Sequence, residues 1–336
     1  MTTANTGLRD TLPPQPVGIE PAERAVVDDR GSSLAEPHTP RRQFPWSTVF
    51  AYCLLVGGSL VLLIPFVWMV KSSLSTEAMV QSGQITVEFG QTADGGAAGP
   101  QWVNYPESMR LLGADLGRFG IGWWPTFPAL ANTVFITSLS IAGQILSCSL
   151  VGYGFARFRF RGRGPLFMLM LSTMMLPAQV TMIPVFLLFR SLGMVDTFWP
   201  LILPMFLGSP FFVFMFRQFF AQVPEELMEA ARIDGAGHFR VYWTMMLPLS
   251  TPVIAIVAIY TFMGTWNDFM GPLIYLNSPE KGTLATALNS FNGEYGVRQA
   301  HLLMAASFIT MLPCIVLFFA AQRYFVGNLA DSGLKG

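Results

Sequence analysis

Charge is scarce in this sequence. Asp, Glu, Lys and Arg together make up 12% of 336 residues, about half the fraction of an ordinary soluble domain, and a soluble surface could hardly be covered with so little. The histidines, His38, His238 and His301, lie far apart, which argues against a His-based metal site or catalytic triad. The three cysteines, Cys53, Cys148 and Cys314, each sit inside an apolar run with no CxxC spacing. They read as small hydrophobes, and a disulfide framework or a cysteine metal site is excluded. Basic and acidic residues balance at 20 each, so nothing suggests a nucleic-acid partner. No GxxxxGK[ST], HExxH or GxSxG occurs, and no pair of carboxylates lies within an apolar run, which leaves little support for an enzyme.

What is abundant is apolar surface: 52% hydrophobic residues, with 29 Phe, 19 Met and 8 Trp. Crossing a bilayer takes about 20 apolar residues in a helix, and six runs qualify: 46–70, 129–156, 165–188, 197–216, 251–276 and 302–326. Backbone groups in lipid must bond within their own segment, so these runs predict an all-α membrane protein with six transmembrane helices. Pro177, Pro184, Pro204, Pro210 and Pro272 should kink or break some of them. The N-terminus, the Arg157–Arg163 loop, the segment 217–250 and the C-terminus share one side and carry 14 of the 20 basic residues. The positive-inside rule then makes both termini cytoplasmic.

Residues 1–43 carry six prolines and scattered charges without apolar periodicity, the composition of a disordered cytoplasmic tail. The apolar core of the first run lies too far from the start for a signal peptide, so that run is expected to be retained. In the loop 71–128, the Gly- and Ala-rich stretch Gly90–Gly99 reads as flexible, Asn104–Leu112 as a short interfacial helix, and Trp123 and Trp124 as headgroup residues. No repeat emerges.

Between the fourth and fifth runs stands Pro224-Glu225-Glu226-Leu227-Met228-Glu229-Ala230-Ala231-Arg232-Ile233-Asp234-Gly235. Pro224 suits a helix start, and Glu225 and Glu226 suit the positive end of its dipole. Ala230 and Ala231 favour helix with almost no bulk, and Asp234-Gly235 closes it with a turn. A second amphipathic stretch, His238–Met246, leads to Leu247-Pro248. Such a helix–turn–helix can dock in a partner's groove and transmit a rigid-body push. It fits equally an amphipathic loop lying on the membrane surface.

The spacing Glu229-Ala230-Ala231, three residues, Gly235, nine residues, Met245, one residue, Leu247-Pro248 resembles the EAA loop of ABC-importer permeases, with Met245 where the family usually has Ile. Together with Tyr153–Gly164, Gly264–Phe269 and the C-terminal Gln322–Gly336, it is similar to carbohydrate-importer permeases of the maltose transporter's smaller-subunit type. The resemblance covers residues 44–336 and implies a type I ABC importer permease fold in the cytoplasmic membrane. Its implied partners are a second permease, an ABC ATPase dimer and an extracytoplasmic solute-binding protein. It implies no cofactor or metal on this chain, ATP and Mg being used by the ATPases. Glu229, Ala230, Ala231, Asp234, Gly235, Leu247 and Pro248 would form the ATPase-coupling segment. Asn289, Phe291, Asn292 and Gly293, in the loop 277–301, would reach toward the binding protein; a plain solvated loop is the alternative.

Asp268 is the one acid deep in a run, and intramembrane charge is costly unless it faces protein or water. With Trp266 and Asn267 it offers an aromatic face, an amide and a carboxylate suited to a sugar; alternatively, Asn267 and Asp268 satisfy broken backbone near Gly271-Pro272. Gln144 is a second pathway candidate. A self-sufficient secondary transporter of a small polar solute is the rival reading, but it would usually show internal repeats and several intramembrane ionisable residues.

Overall fold

The computed structural model describes residues 46–83, 88–91, 96–114, 128–291 and 299–333. The 1–43 tail, Trp123 and Trp124 lie outside the described residues. The chain divides into two units, Met1–Gly57 and Gly58–Gly336. Of the first, only the apolar opening of one helix is described, from Trp46 onward; everything below concerns the second, apart from the helix that continues from one into the other.

Apart from one isolated antiparallel bridge, Gln91 to Ala97, the described residues form helices and connections. In chain order they are α1 (Trp46–Ser73), α2 (Glu77–Ser82), α3 (Asn104–Ala114), α4 (Pro128–Arg157), α5 (Arg163–Ser172), α6 (Ala178–Ser191), α7 (Trp199–Phe206), α8 (Pro210–Gln222), α9 (Glu225–Ile233), α10 (His238–Val241), α11 (Leu247–Leu249), α12 (Thr251–Trp266), α13 (Met270–Tyr275), α14 (Leu284–Ser290) and α15 (Ala300–Gly333). A π-helical turn, Tyr242–Met246, joins α10 to α11.

Among the described residues, four stretches are long and apolar enough to cross a membrane: Thr48–Ser73, Pro128–Arg157, Trp199–Gln222 and Ala300–Gln322. Two bent pairs raise the number to six if each is one span: Arg163–Met175 with Ala178–Ser191, bent by 100°, and His238–Leu249 with Thr251–Trp266, bent by 74°. The first bend falls at Leu176-Pro177, where the sequence expected a break: proline removes an amide donor and disfavours helix at the residue before it. The run 197–216 divides between α7 and α8 around Gly208, whose φ is +82°, and Pro210 opens α8 at a position where no amide is needed. The run 251–276 is also broken, at Asn267–Phe269, although no proline stands there. Large apolar side chains such as Leu62, Ile64, Leu169 and Val316 are exposed, which suits lipid and would be untenable in water.

The core gathers around α4, which packs on α7, α8 and α12. Gly152 lets α4 and α8 come close: a Cβ there would lie 2.6 Å from Phe216 Cβ and 3.1–3.2 Å from the backbone of Arg217 and Val213. The Gly-rich stretch near residue 90, expected to be flexible, is tied down where it is described. Thr76 N–H donates to Phe89 O at 2.8 Å, Ala98 N–H to Gly90 O at 2.8 Å, and Gln101 N–H to Leu74 O at 2.7 Å. The expected Asn104–Leu112 helix is α3, and its buried Asn104 amide donates to Ser73 O and Ser75 O at 2.8 and 2.9 Å, fixing the end of α1.

At the start of α7 the chain is clasped by Asp196, whose φ is +61°. Its Oδ1 accepts the N–H groups of Asn277 and Ser278, both at 2.9 Å, and its Oδ2 accepts the Ser278 hydroxyl at 2.6 Å and the Lys281 ammonium at 2.8 Å. Lys281 first, and the Ser278 hydroxyl next, hold the Asp196 carboxyl well below the usual carboxylate range. A carboxyl depressed by folding stabilises the protein above its unfolded pKa, about 4, and that stabilisation is lost as pH falls toward the folded value. Asp196→Asn, which tolerates the same backbone conformation, should cost about 1 kcal/mol near neutral pH, allowing for screening of a partly exposed pair. The gap in melting temperature between wild type and variant in detergent should begin to narrow as pH falls through about 4 and keep narrowing below it; a gap that does not narrow in acid would rule out the charge as its source.

Candidate functional site

Beyond Gln222 the chain forms a helical hairpin. Pro224 caps α9, and Glu225 and Glu226 occupy its first turn. It closes with two bonds, Ala236 N–H to Ala231 O and Gly235 N–H to Arg232 O, both 2.9 Å. This is the Schellman pattern, which places the residue after the cap in the left-handed region; Gly235 has φ +81°. The expected turn at Asp234-Gly235 is therefore present, with its physical reason.

One side of the hairpin is anchored. Met228, Val241, Tyr242 and Met246 are buried with Tyr153, Phe216 and Phe220. The Tyr242 hydroxyl lies 2.8 Å from Ser149 Oγ, the Tyr153 hydroxyl donates to His238 O at 3.4 Å, and the Arg157 guanidinium donates to Phe220 O and Val223 O just before α9. The other side faces outward. Glu229, Ala230, Asp234, Gly235 and Pro248 are exposed, whereas Ala231 and Leu247 pack partly against the core. Beside the outward residues stand Ile233, 86% exposed, and the stacked pair Phe239–Trp243, with centroids 6.3 Å apart. Sequence reasoning missed the anchors. The sequence marks Arg157 as a topology signal and as part of the Tyr153–Gly164 resemblance, not as an anchor, yet Ser149, Tyr153 and Arg157 recur every four residues on α4, the spacing of one helix face.

Within the membrane-spanning part, a cavity of about 310 Å³ is lined from α4, α7, α8, α12 and α13. Asp268 and Gln144 both border it. Asp268 Oδ1 accepts the Gly271 N–H at 3.0 Å, so it does satisfy the broken backbone. Gln144 does the same at the other break: its Oε1 accepts the Ser209 N–H at 3.1 Å.

Trp266 and Asn267 are not brought to this cavity. Trp266 is buried on another side, stacked on Phe262 with centroids 4.9 Å apart and donating its indole N–H to Thr310 O at 3.1 Å; there it borders a separate, smaller apolar pocket of about 90 Å³. Asn267 caps α12 through Met263 O at 2.9 Å. In the loop 277–301, Asn289 is exposed at the end of α14. Phe291 is buried with Leu112, Trp266 and Leu302 and serves as an anchor, and Asn292 and Gly293 lie outside the described residues. Among the described residues, no cluster of His, Cys, Asp and Glu has the make-up of a metal site.

Residues 148–330, which include the whole hairpin, match the family described as "binding-protein-dependent transport system inner membrane component". The arabinooligosaccharides transport system permease protein AraQ of Halalkalibacterium halodurans is 37% identical over 64% of this chain and 75% of its own length. The sn-glycerol-3-phosphate transport system permease protein UgpE of Yersinia pestis bv. Antiqua is 31% identical over 84% of this chain and 96% of its own. In fold, the chain is similar to a chain of a bacterial ABC transporter involved in import of the acidic polysaccharide alginate. The TM-score is 0.67 at 22% identity, over 83% of this chain and 96% of that one. The chain belongs to the family of binding-protein-dependent inner-membrane transport components. It is a membrane-spanning permease subunit of an ABC importer and not an enzyme. In importers of this family, ATP is used by separate ATPase subunits.

Proposed function

We propose that this chain carries a sugar or closely related polyol across the cytoplasmic membrane, paired with a second permease and driven by two ABC ATPase subunits. An extracytoplasmic solute-binding protein delivers the solute. Both termini and the α9–α11 hairpin face the cytoplasm, in keeping with the 14 basic residues on that side.

The observation that carries this reading is the two-faced hairpin. Its inner side is bolted to α4 and α8, while its outer side offers Glu229 beside Ile233, Phe239 and Trp243. An exposed acid among large apolar side chains fits a groove in a partner subunit. The relatives' arabinooligosaccharide and glycerol phosphate systems support a polyhydroxylated solute.

A mild-detergent pull-down of this chain from native membranes, read by mass spectrometry, is expected to recover an ABC ATPase and a second multi-span permease. Recovery of the chain alone, under conditions that preserve other importers, would overturn the reading. Within the complex, Asp268→Asn should lower uptake about tenfold, the scale of one charged hydrogen bond, without reducing the yield of assembled subunits, because Asn keeps the acceptor for Gly271 N–H. Unchanged transport kinetics would leave Asp268 only its backbone role.

A further inference from the structure

Thr261 breaks a pattern. Several threonine hydroxyls in these helices return to their own backbone: Thr133 to Ala129 O at 2.8 Å, Thr265 to Thr261 O at 2.8 Å and Thr310 to Ser307 O at 3.1 Å. Thr261, only 5% exposed, lines the 310 Å³ cavity, and its hydroxyl has no partner. An unsatisfied buried hydroxyl in an apolar surround is unfavourable and calls for a polar group to complete it. Further along the same wall of the cavity, Asp268 uses Oδ1 for Gly271 N–H and leaves Oδ2 without a hydrogen-bond donor. Among the described residues, Asp268 is the only charged side chain on the cavity wall. Phe212 and Tyr260, in edge contact with centroids 6.5 Å apart, add aromatic surface.

We propose that this permease chain by itself holds a subsite for one neutral polyhydroxyl unit, with Thr261 and Asp268 bonding its hydroxyls and Asp268 rejecting phosphate esters. The inference rests on the reading of the chain as a carbohydrate permease and narrows it. A sugar hydroxyl donates to Asp268 Oδ2, and another accepts from Thr261, while the apolar face of a ring meets Phe212 and Tyr260. A phosphate ester brings negative charge beside a carboxylate, with no cation on the wall to balance it. The volume lies at the low end for ligand pockets, about 300–1,000 Å³, room for a single small unit.

The test uses the whole importer purified in mild detergent with Thr261→Cys, a close match in size, and mass spectrometry of the peptide carrying position 261. The cationic reagent trimethylammonioethyl methanethiosulfonate should label it about ten times faster than the anionic sulfonatoethyl reagent, and Asp268→Asn should level the two rates. A mixture of L-arabinose, D-glucose and glycerol should slow labelling severalfold, and sn-glycerol-3-phosphate at the same concentration should not. Equal rates for the two reagents, protection by neither solute, or protection by the phosphate ester as strong as by the neutral mixture would each overturn the proposal. Loss of the ATPase from the same preparation would instead overturn the importer reading, so the two failures are distinguishable.

Discussion

Replacing Gly235 by Val, or Glu229 by Lys, is expected to lower uptake about 100-fold, the scale of losing one interface anchor, while the chain still inserts and stays intact. No atom lies within 4 Å of a Cβ built at Gly235, so the damage is confined to the backbone. Its φ of +81° is costly for a β-branched residue, by about 1–3 kcal/mol. The turn must open, and α9 then leaves the angle at which it meets its partner. Gly235→Asn, which tolerates the left-handed region, should retain most activity, and this control separates backbone geometry from bulk. Glu229→Lys leaves the fold alone, since the side chain is exposed, and reverses the charge on the outer face of the hairpin, which is the face proposed to meet the ATPase. Uptake assays with the ATPase co-purified decide the matter: normal transport in both variants would refute the coupling role.

Gly152→Val should be the most damaging change inside the membrane-spanning part. A Cβ at this position meets the backbone of α8 as well as Phe216, and backbone cannot rotate away as a side chain can. Overpacking a well-filled contact costs about 1–3 kcal/mol, and here α4 and α8 must part to accommodate it. The same face of α4 carries Ser149, Tyr153 and Arg157 to the hairpin, so separation also loosens the hairpin. Detergent-solubilised yield and melting temperature should fall sharply, whereas Gly154→Val, with nothing within 4 Å of its Cβ, should be tolerated far better. Equal behaviour of the two variants would remove the close approach as the explanation.

Much of this was legible in the residues. Apolar runs located the long helices, Pro177 marked the sharpest bend, and the Glu229–Gly235 spacing marked the hairpin turn, because each depends on local backbone chemistry. The break at Asn267–Phe269 has no proline to announce it; side-chain bonds from Asn267 and Asp268 sustain it instead. Grouping Trp266 with Asp268 ignored helix geometry, since residues two apart point about 200° away from each other. The spacing of Tyr260, Thr261, Gly264, Thr265 and Asp268 was the better signal, for it traces one helical stripe, and all five line the cavity. Phe291 in an otherwise polar loop was likewise a sign of anchoring. Asp196 gave none, because its partners lie some 80 residues onward and no local pattern marks the pairing.

The continuity of α4 has a mechanical consequence. It runs for 30 residues without an interior proline, about 45 Å, while α5–α6, α7–α8 and α12–α13 are all interrupted. Its first part, as far as the middle, lines the cavity with Thr133, Ile136 and Gln144, and its last part holds the hairpin through Ser149, Tyr153 and Arg157. It therefore works as a strut: a displacement applied at the hairpin end arrives at the cavity wall as a displacement, with no hinge between to absorb it. The broken helices around it supply the compliance, and α4 sets the stroke.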